Sequence, residues 1–267
     1  MRPGDCTLDL EDLEKKLTGR TRLLAVSCAS NAVGTVHPVK RITEMVHAVG
    51  GLVFLDAVHY APHRTIDVVD WDCDFLACSA YKFFGPHIGL LYGKRELLET
   101  LPAYNLRASP AELPGRWMTG TQNHEGIAGM LSAIDYIASL GGDGDDGRRG
   151  ALVRAYESIV AHEHGVLVRL LRNLADVHGV RVLGVTDESR LDERVPTVSF
   201  THERYAPDHV ARHLAGRGVF VWPGNFYALP LSEALGLEPE GMVRAGILHY
   251  NTEEEVDRLI EALMKLD

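Results

Sequence analysis

Three short apolar runs, residues 23–28 (LLAVSC), 52–55 (LVFL) and 74–78 (DFLAC), each give way within two residues to polar ones. Such runs are too short for helices and read as buried strands. Residues 88–92 form a fourth run of the same kind. Between the first two, Val39, Ile42, Met45, Val46 and Val49 fall on one helical face, with Gly50 and Gly51 as the stop signal. Residues 8–17 also have helical spacing. Near-continuous apolar strands alternating with helices describe a mostly parallel sheet covered on both faces. Ligands of such sheets sit at the carboxyl ends of the strands. The polar residues there are Ser30 and Asn31, then Asp56 and His59, then Ser79 and Lys82. Three strand ends are therefore expected to aim chemistry at one place.

The character changes after Gly120. Residues 127–140 form an amphipathic helix, 141–150 a Gly/Asp-rich break, and 151–177 a long helix with Leu167, Leu170, Leu171 and Leu174 on one face. Short strands are expected at 180–183, 197–200, 219–222 and 242–248, with helices at 207–215 and 253–266. The expected organisation is an α/β large domain over 1–141 and a smaller α+β domain over 142–267.

Bulk properties narrow the function. Apolar residues make up 46% of the chain, enough for a sizeable core. With 27 Lys plus Arg against 37 Asp plus Glu, the net charge of −10 argues against nucleic acid or an anionic membrane surface as the main partner. No apolar run approaches a membrane span and the start has no signal pattern, so a cytoplasmic protein is expected. Cys6, Cys28, Cys73 and Cys78 show no metal-type pairing and read as small buried thiols. No metal site is expected.

Lys82 follows a buried strand among Tyr81, Phe83 and Phe84. Asp56 ends the neighbouring run, where a carboxylate is costly without a cationic partner. A protonated pyridine nitrogen is such a partner. Five segments in order extend the pattern: S-N-A-V-G-T at 30–35, D-A-V-H at 56–59, S-A-Y-K at 79–82, G-T-Q-N at 120–123 and V-R-A-G-I-L-H-Y-N-T at 243–252. Together they resemble class V aminotransferases of pyridoxal 5'-phosphate (PLP) fold type I, in the cysteine desulfurase-like branch.

The resemblance implies a role for each matching residue. Lys82 holds PLP as a Schiff base and moves the α-proton, and Asp56 pairs with the pyridine nitrogen. His59 and Asn31 lie beside the ring hydroxyl, and Val58 lies under one ring face. Ser79 and Tyr81 donate to the phosphate. Thr121 reaches the phosphate of a neighbouring protomer, which makes a homodimer with a shared site; its alternative is a cap for the helix near His124. Arg244 clamps the α-carboxylate of a small amino-acid substrate, with Arg116 a secondary anion site.

The departures are as informative. Where desulfurases that use a persulfide carry a cysteine, residues 222–230 read W-P-G-N-F-Y-A-L-P, with Tyr227 in its place. His59 stands for a glutamine common in desulfurases, and Trp222 for a frequent arginine. Relatives also carry a long segment ahead of the equivalent of Leu8, with a phosphate loop and a ring-stacking aromatic, so an N-terminally incomplete large domain is expected. The resulting expectation is a cysteine desulfurase-like lyase without a persulfide relay. The alternatives are an aminotransferase or epimerase, or a non-catalytic truncated remnant. A nucleotide-binding α/β protein is disfavoured because no Gly-rich loop joins a strand to a helix.

Overall fold

The computed structural model describes residues 1–266. The chain divides into two compact units that do not follow chain order. One comprises Glu14–Ser27 and Pro38–Ala155; the other takes in Met1–Leu13, Cys28–His37 and the chain from Tyr156 onward. The border expected near residue 142 did not include the two N-terminal pieces of the second unit.

The first unit is built on a four-stranded sheet, in the order β1 (Leu23–Ser27), β2 (Leu52–Asp56), β3 (Phe75–Ser79), β4 (Gly89–Gly93). The first three strands are parallel and β4 runs antiparallel to β3. Alternation along the strands gives the sheet two unlike faces. Val53, Leu55, Leu76 and Cys78 are buried on one of them. Helix α2 (Val39–His47) packs on β2 and buries Val39, Ile42, Thr43 and Val46. It ends where Gly50 takes a positive φ of 78° and Gly51 N–H returns to the Val46 carbonyl, a turn only glycine makes without strain. The other face carries Phe54 stacked on Phe75 and ends on Asp56 and Ser79.

The N-terminal edge of this sheet is tied by charge. Asp74, nearly buried, accepts from Val53 N–H at 2.7 Å and pairs with His47 Nε2 at 2.8 Å and Lys94 Nζ at 3.1 Å. Asp72, with a left-handed φ of 50°, completes the cluster by pairing with Lys94 Nζ at 2.6 Å. Two further helices belong to this unit, α3 (Arg95–Thr100), which the apolar pattern did not show, and α4 (His124–Ser139).

The second unit has an antiparallel sheet, in the order β5 (Val180–Leu183), β6 (Thr197–His202), β8 (Met242–Gly246), β7 (Trp222–Gly224). One face is covered by helices: Leu167, Leu170 and Leu174 of α5 (Gly147–Ala175), Val210 and Leu214 of α6 (Pro207–Ala215), and Leu259 and Leu263 of α8 (Glu253–Leu263). These pack with Val198, Phe200, Val243 and Ala245 of the sheet. Truncating one such leucine, for example Leu174→Ala, costs about 2–5 kcal/mol. The remaining helices are α1 (Leu10–Lys16) and the short α7 (Leu229–Ala234).

Strand β7 starts three residues later than the sequence implies. Val219 is taken up in ending α6, its N–H bonding to the Leu214 carbonyl after Gly218 at a φ of 74°. Pairing with β8 begins only at Trp222, on the sheet edge where Pro223 is tolerated.

Candidate active site

Asp56 and Ser79 end neighbouring parallel strands. Asp56 is level with Ala77 across the β2–β3 ladder, so Ser79, two residues on, points to the same face as Asp56. Ser27 of β1 pairs with Asp56 from the other side. Asp56 is exposed, and its Oδ1 accepts from Val58 N–H at 2.9 Å, a turn that places Val58 and His59 directly after the strand. His59 in turn meets the ring of His63 edge-on at 5.8 Å. Ala57 N–H bonds to the Ala77 carbonyl at 2.9 Å, so this turn is tied to β3.

Ser79 leads straight into a single 3-10 turn, Ala80–Phe83, which carries Tyr81 and Lys82. The turn closes on Phe84 with a left-handed φ of 71°. Tyr81 stacks on His87 with centroids 4.8 Å apart, and Lys82 Nζ sits 4.9 Å from the Tyr81 ring centroid. Lys82 makes no ion pair among the described residues.

Asn31 and Arg244 lie in the second unit: β1 ends within the parallel-sheet unit, but Ser30 and Asn31, expected at its end, belong to the other. After Ser27 the chain crosses the sheet face opposite the helices. There Ser199 Oγ donates to the Ala32 carbonyl, and Val195 N–H donates to the Gly34 carbonyl at 2.8 Å. Gly34 has a φ of 76°, and a Cβ there would lie 2.5 Å from the Thr197 carbonyl oxygen, so the glycine of S-N-A-V-G-T is demanded by close backbone approach. Arg194, buried, donates to the carbonyls of Val185, Val33 and Thr197. Burial pushes its pKa down to about 10.

Arg244, on the same face, donates from Nη1 to the Asn31 carbonyl at 2.7 Å, and Asn31 Nδ2 donates to the Phe226 carbonyl at 2.8 Å. The Arg244 guanidinium lies 4.1 Å from the Phe226 ring centroid. Burial lowers the Arg244 pKa. Nothing in the sequence pattern singled out Phe226.

Two expected roles go elsewhere. The cap of α4 is Asn123, whose Oδ1 accepts from Gly126 N–H at 2.9 Å, so Thr121 is not spent on the helix. Arg116 donates to the carbonyls of Glu99 at 2.7 Å and Leu101 at 3.0 Å, which commits its guanidinium to the end of α3 rather than to an anion. All four cysteines are buried and none is in a disulfide. Burial pushes Cys73 and Cys78 up to about 11. Tyr227 is fully exposed with a φ of 61°.

The family model for aminotransferase class-V matches residues 4–259. The chain belongs to the aminotransferase class-V family. Among relatives of this class V chain is a cysteine desulfurase of Pectobacterium carotovorum subsp. carotovorum, 33% identical over 275 residues that span 98% of this chain and 62% of that protein. Another is the aminotransferase-like protein FGM3 of Gibberella zeae, 35% identical over 261 residues, 96% of this chain and 62% of that one. The apo cysteine desulfurase of Thermococcus onnurineus NA1 superposes with a TM-score of 0.85 at 29% identity, over 100% of this chain and 64% of that structure. The cysteine desulfurase CsdA of Escherichia coli does so with a TM-score of 0.78 at 27% identity, over 96% of this chain and 61% of that one. The class V chain thus spans about 62% of the length of the curated relatives it matches.

The fold is that of PLP-dependent cysteine desulfurases, as expected, and class V aminotransferases and cysteine desulfurases use PLP. The donor set suits that group. Asp56 Oδ2 and the hydroxyls of Ser79 and Tyr81 have no protein partner among the described residues, and the Lys82 amine is not neutralised by a carboxylate. No helix among the described residues is long and apolar enough to cross a membrane.

Proposed function

We propose that this chain is the catalytic part of a PLP-dependent enzyme acting on a small amino acid, a cysteine desulfurase-like lyase without a persulfide cysteine. The observation that carries the reading is Lys82, one turn past Ser79 and without an ion pair among the described residues, next to a strand that ends on Asp56. When bound, the cofactor supplies an electron sink for charge developing at the substrate's α-carbon.

Each residue then has its own task. Lys82 Nζ would hold the cofactor, and the same amine would take and return the substrate's α-proton. Asp56 is held by the Val58 N–H through Oδ1, which leaves Oδ2 to keep a proton on the pyridine nitrogen. His59 and Asn31 would serve the ring hydroxyl, and Val58 would support the ring. Ser79 and Tyr81 donate to the phosphate, and Thr121, not used as a cap, serves the phosphate of a second copy in a cytoplasmic homodimer. Arg244 takes the α-carboxylate with its Nε and Nη2 edge, since Nη1 is committed to Asn31.

Transamination or epimerisation is the second reading, favoured by the 35% identity to an aminotransferase-like protein and by Tyr227 where the resemblance implies the cysteine's position. Both readings need Lys82. Protein incubated with PLP and reduced with borohydride should carry the pyridoxyl group on the Lys82 peptide. A label on another lysine overturns the assignment.

A further inference from the structure

Arg244, Asn31 and Phe226 form a closed ring of contacts: Arg244 Nη1 to the Asn31 carbonyl, Asn31 Nδ2 to the Phe226 carbonyl, and the Phe226 ring face back under the guanidinium. Phe226 holds this place against its own preference. Its φ is 57° and that of Tyr227 is 61°, a left-handed pair unusual for bulky side chains. The pair turns one ring inward and the next fully outward, with Phe226 packed against the cluster of Ala32, Val33 and Met242.

The surroundings over-determine the turn. Asn225 Oδ1 accepts from Tyr227 N–H at 3.2 Å, and Asn225 Nδ2 donates to Glu238 Oε1 at 3.1 Å, an oxygen that also accepts from Ser232 Oγ. Ala228 N–H returns to the Asn225 carbonyl at 2.8 Å. Behind it, a Cβ on Gly241 would lie 2.3 Å from the Gly224 carbonyl carbon, so the two backbones touch.

An arginine edge left for a carboxylate works only if the guanidinium plane is fixed, because a bidentate pair demands both position and angle. One backbone hydrogen bond leaves the plane free to rotate about it. A ring face at 4.1 Å removes that rotation and favours the cation after desolvation has disfavoured it. We infer that Phe226 is a positioning residue for Arg244, fixing the guanidinium plane so that its open edge meets a substrate carboxylate. The inference rests on the reading of Arg244 as the carboxylate clamp and goes beyond it by naming what aims the clamp.

Two measurements on the full chain separate the ideas. The first needs neither substrate nor cofactor: phenylglyoxal modification of Arg244, read by peptide mass spectrometry. Phe226→Leu, which keeps a β-carbon in the same backbone conformation, should raise the modification rate about fivefold or more, while Phe226→Tyr keeps the ring and stays near wild type. Equal rates in all three proteins overturn the inference, whatever Arg244 binds.

The second measures the binding of L-cysteine and of cysteamine, which lacks the carboxylate, by calorimetry on PLP-loaded protein. Phe226→Leu should weaken L-cysteine about five- to twentyfold and leave cysteamine unmoved. An unchanged L-cysteine affinity in Phe226→Leu overturns the inference when Arg244→Ala does weaken it. If Arg244→Ala leaves it unchanged while Phe226→Leu still exposes Arg244 to phenylglyoxal, the clamp reading falls and the positioning stands.

Discussion

Asp74 Oδ2 accepts the N–H of Val53 at 2.7 Å, which joins the residue just ahead of β3 to the start of β2. The same carboxylate takes His47 from α2 and Lys94 from beyond β4. One nearly buried anion therefore ties four segments of the parallel-sheet unit at the end of the sheet away from Asp56 and Ser79.

Asp74→Ala should destabilise the protein by about 2–4 kcal/mol, because a buried strand N–H loses its acceptor and His47 and Lys94 are left with the exposed Asp72 alone. Asp74→Asn keeps an oxygen for Val53 and should cost roughly half as much. Urea midpoints measured at pH 7.5 give both values. A loss below about 0.5 kcal/mol for the alanine variant would show that the cluster contributes no net stability.

The cysteines should behave as packing residues. With burial holding Cys73 and Cys78 up to about 11, on the order of one thiol in a thousand is ionised at pH 8. Iodoacetamide should modify native protein at less than about a hundredth of the rate seen in urea. Turnover with L-cysteine should release free sulfide. A persulfide trapped on Cys6, Cys28, Cys73 or Cys78 would refute the absence of a relay.

Much of this was legible in the sequence because it is local. The strands β1 to β3, helix α2 and the polar strand ends follow from apolar runs and their punctuation, and the motif residues Asp56, Ser79 and Lys82 sit where that pattern puts them. What was not legible is long-range. Ser30 and Asn31 read as the end of the strand at 23–28, yet residues 28–37 belong with the antiparallel sheet because Arg194, Ser199 and Val195 supply donors to three consecutive carbonyls, of Val33, Ala32 and Gly34 respectively. Phe226 could not be found either. Its importance comes from a left-handed backbone and from Arg244 and Asn31, neither near it in sequence. Thr121 and Arg116 show the same limit in reverse: their neighbours suggested roles that Asn123 and the end of α3 decide.

Asp56→Asn should keep the fold, since the amide oxygen can still accept from Val58 N–H. Turnover should fall by about 10²–10³, the usual loss when one preorganised electrostatic partner is removed. The protein's thermal midpoint serves as the control and should move little, because Asp56 is exposed. Near wild-type turnover would mean that Asp56 only shapes the turn after β2.

His63 should give the protein a stability slope in mildly acidic solution. It is buried behind His59, and desolvation, with Arg64 adding repulsion, pushes its pKa down to about 3. An unfolded histidine titrates near 6.5. Between these values the unfolded chain binds a proton that the folded chain refuses, so stability is full above pH 6.5 and falls as the pH drops toward 3. The slope contributed by this one group approaches about 1.4 kcal/mol per pH unit. His63→Leu removes the titration and should flatten the dependence by that amount between pH 6.5 and 5, a window above most carboxylate titrations. Any packing cost of the substitution shifts stability equally at every pH and leaves the slope alone. Urea unfolding at pH 7.5, 6.0 and 5.0 for both proteins checks this. Parallel lines for wild type and variant would mean that folded His63 protonates as readily as the unfolded residue.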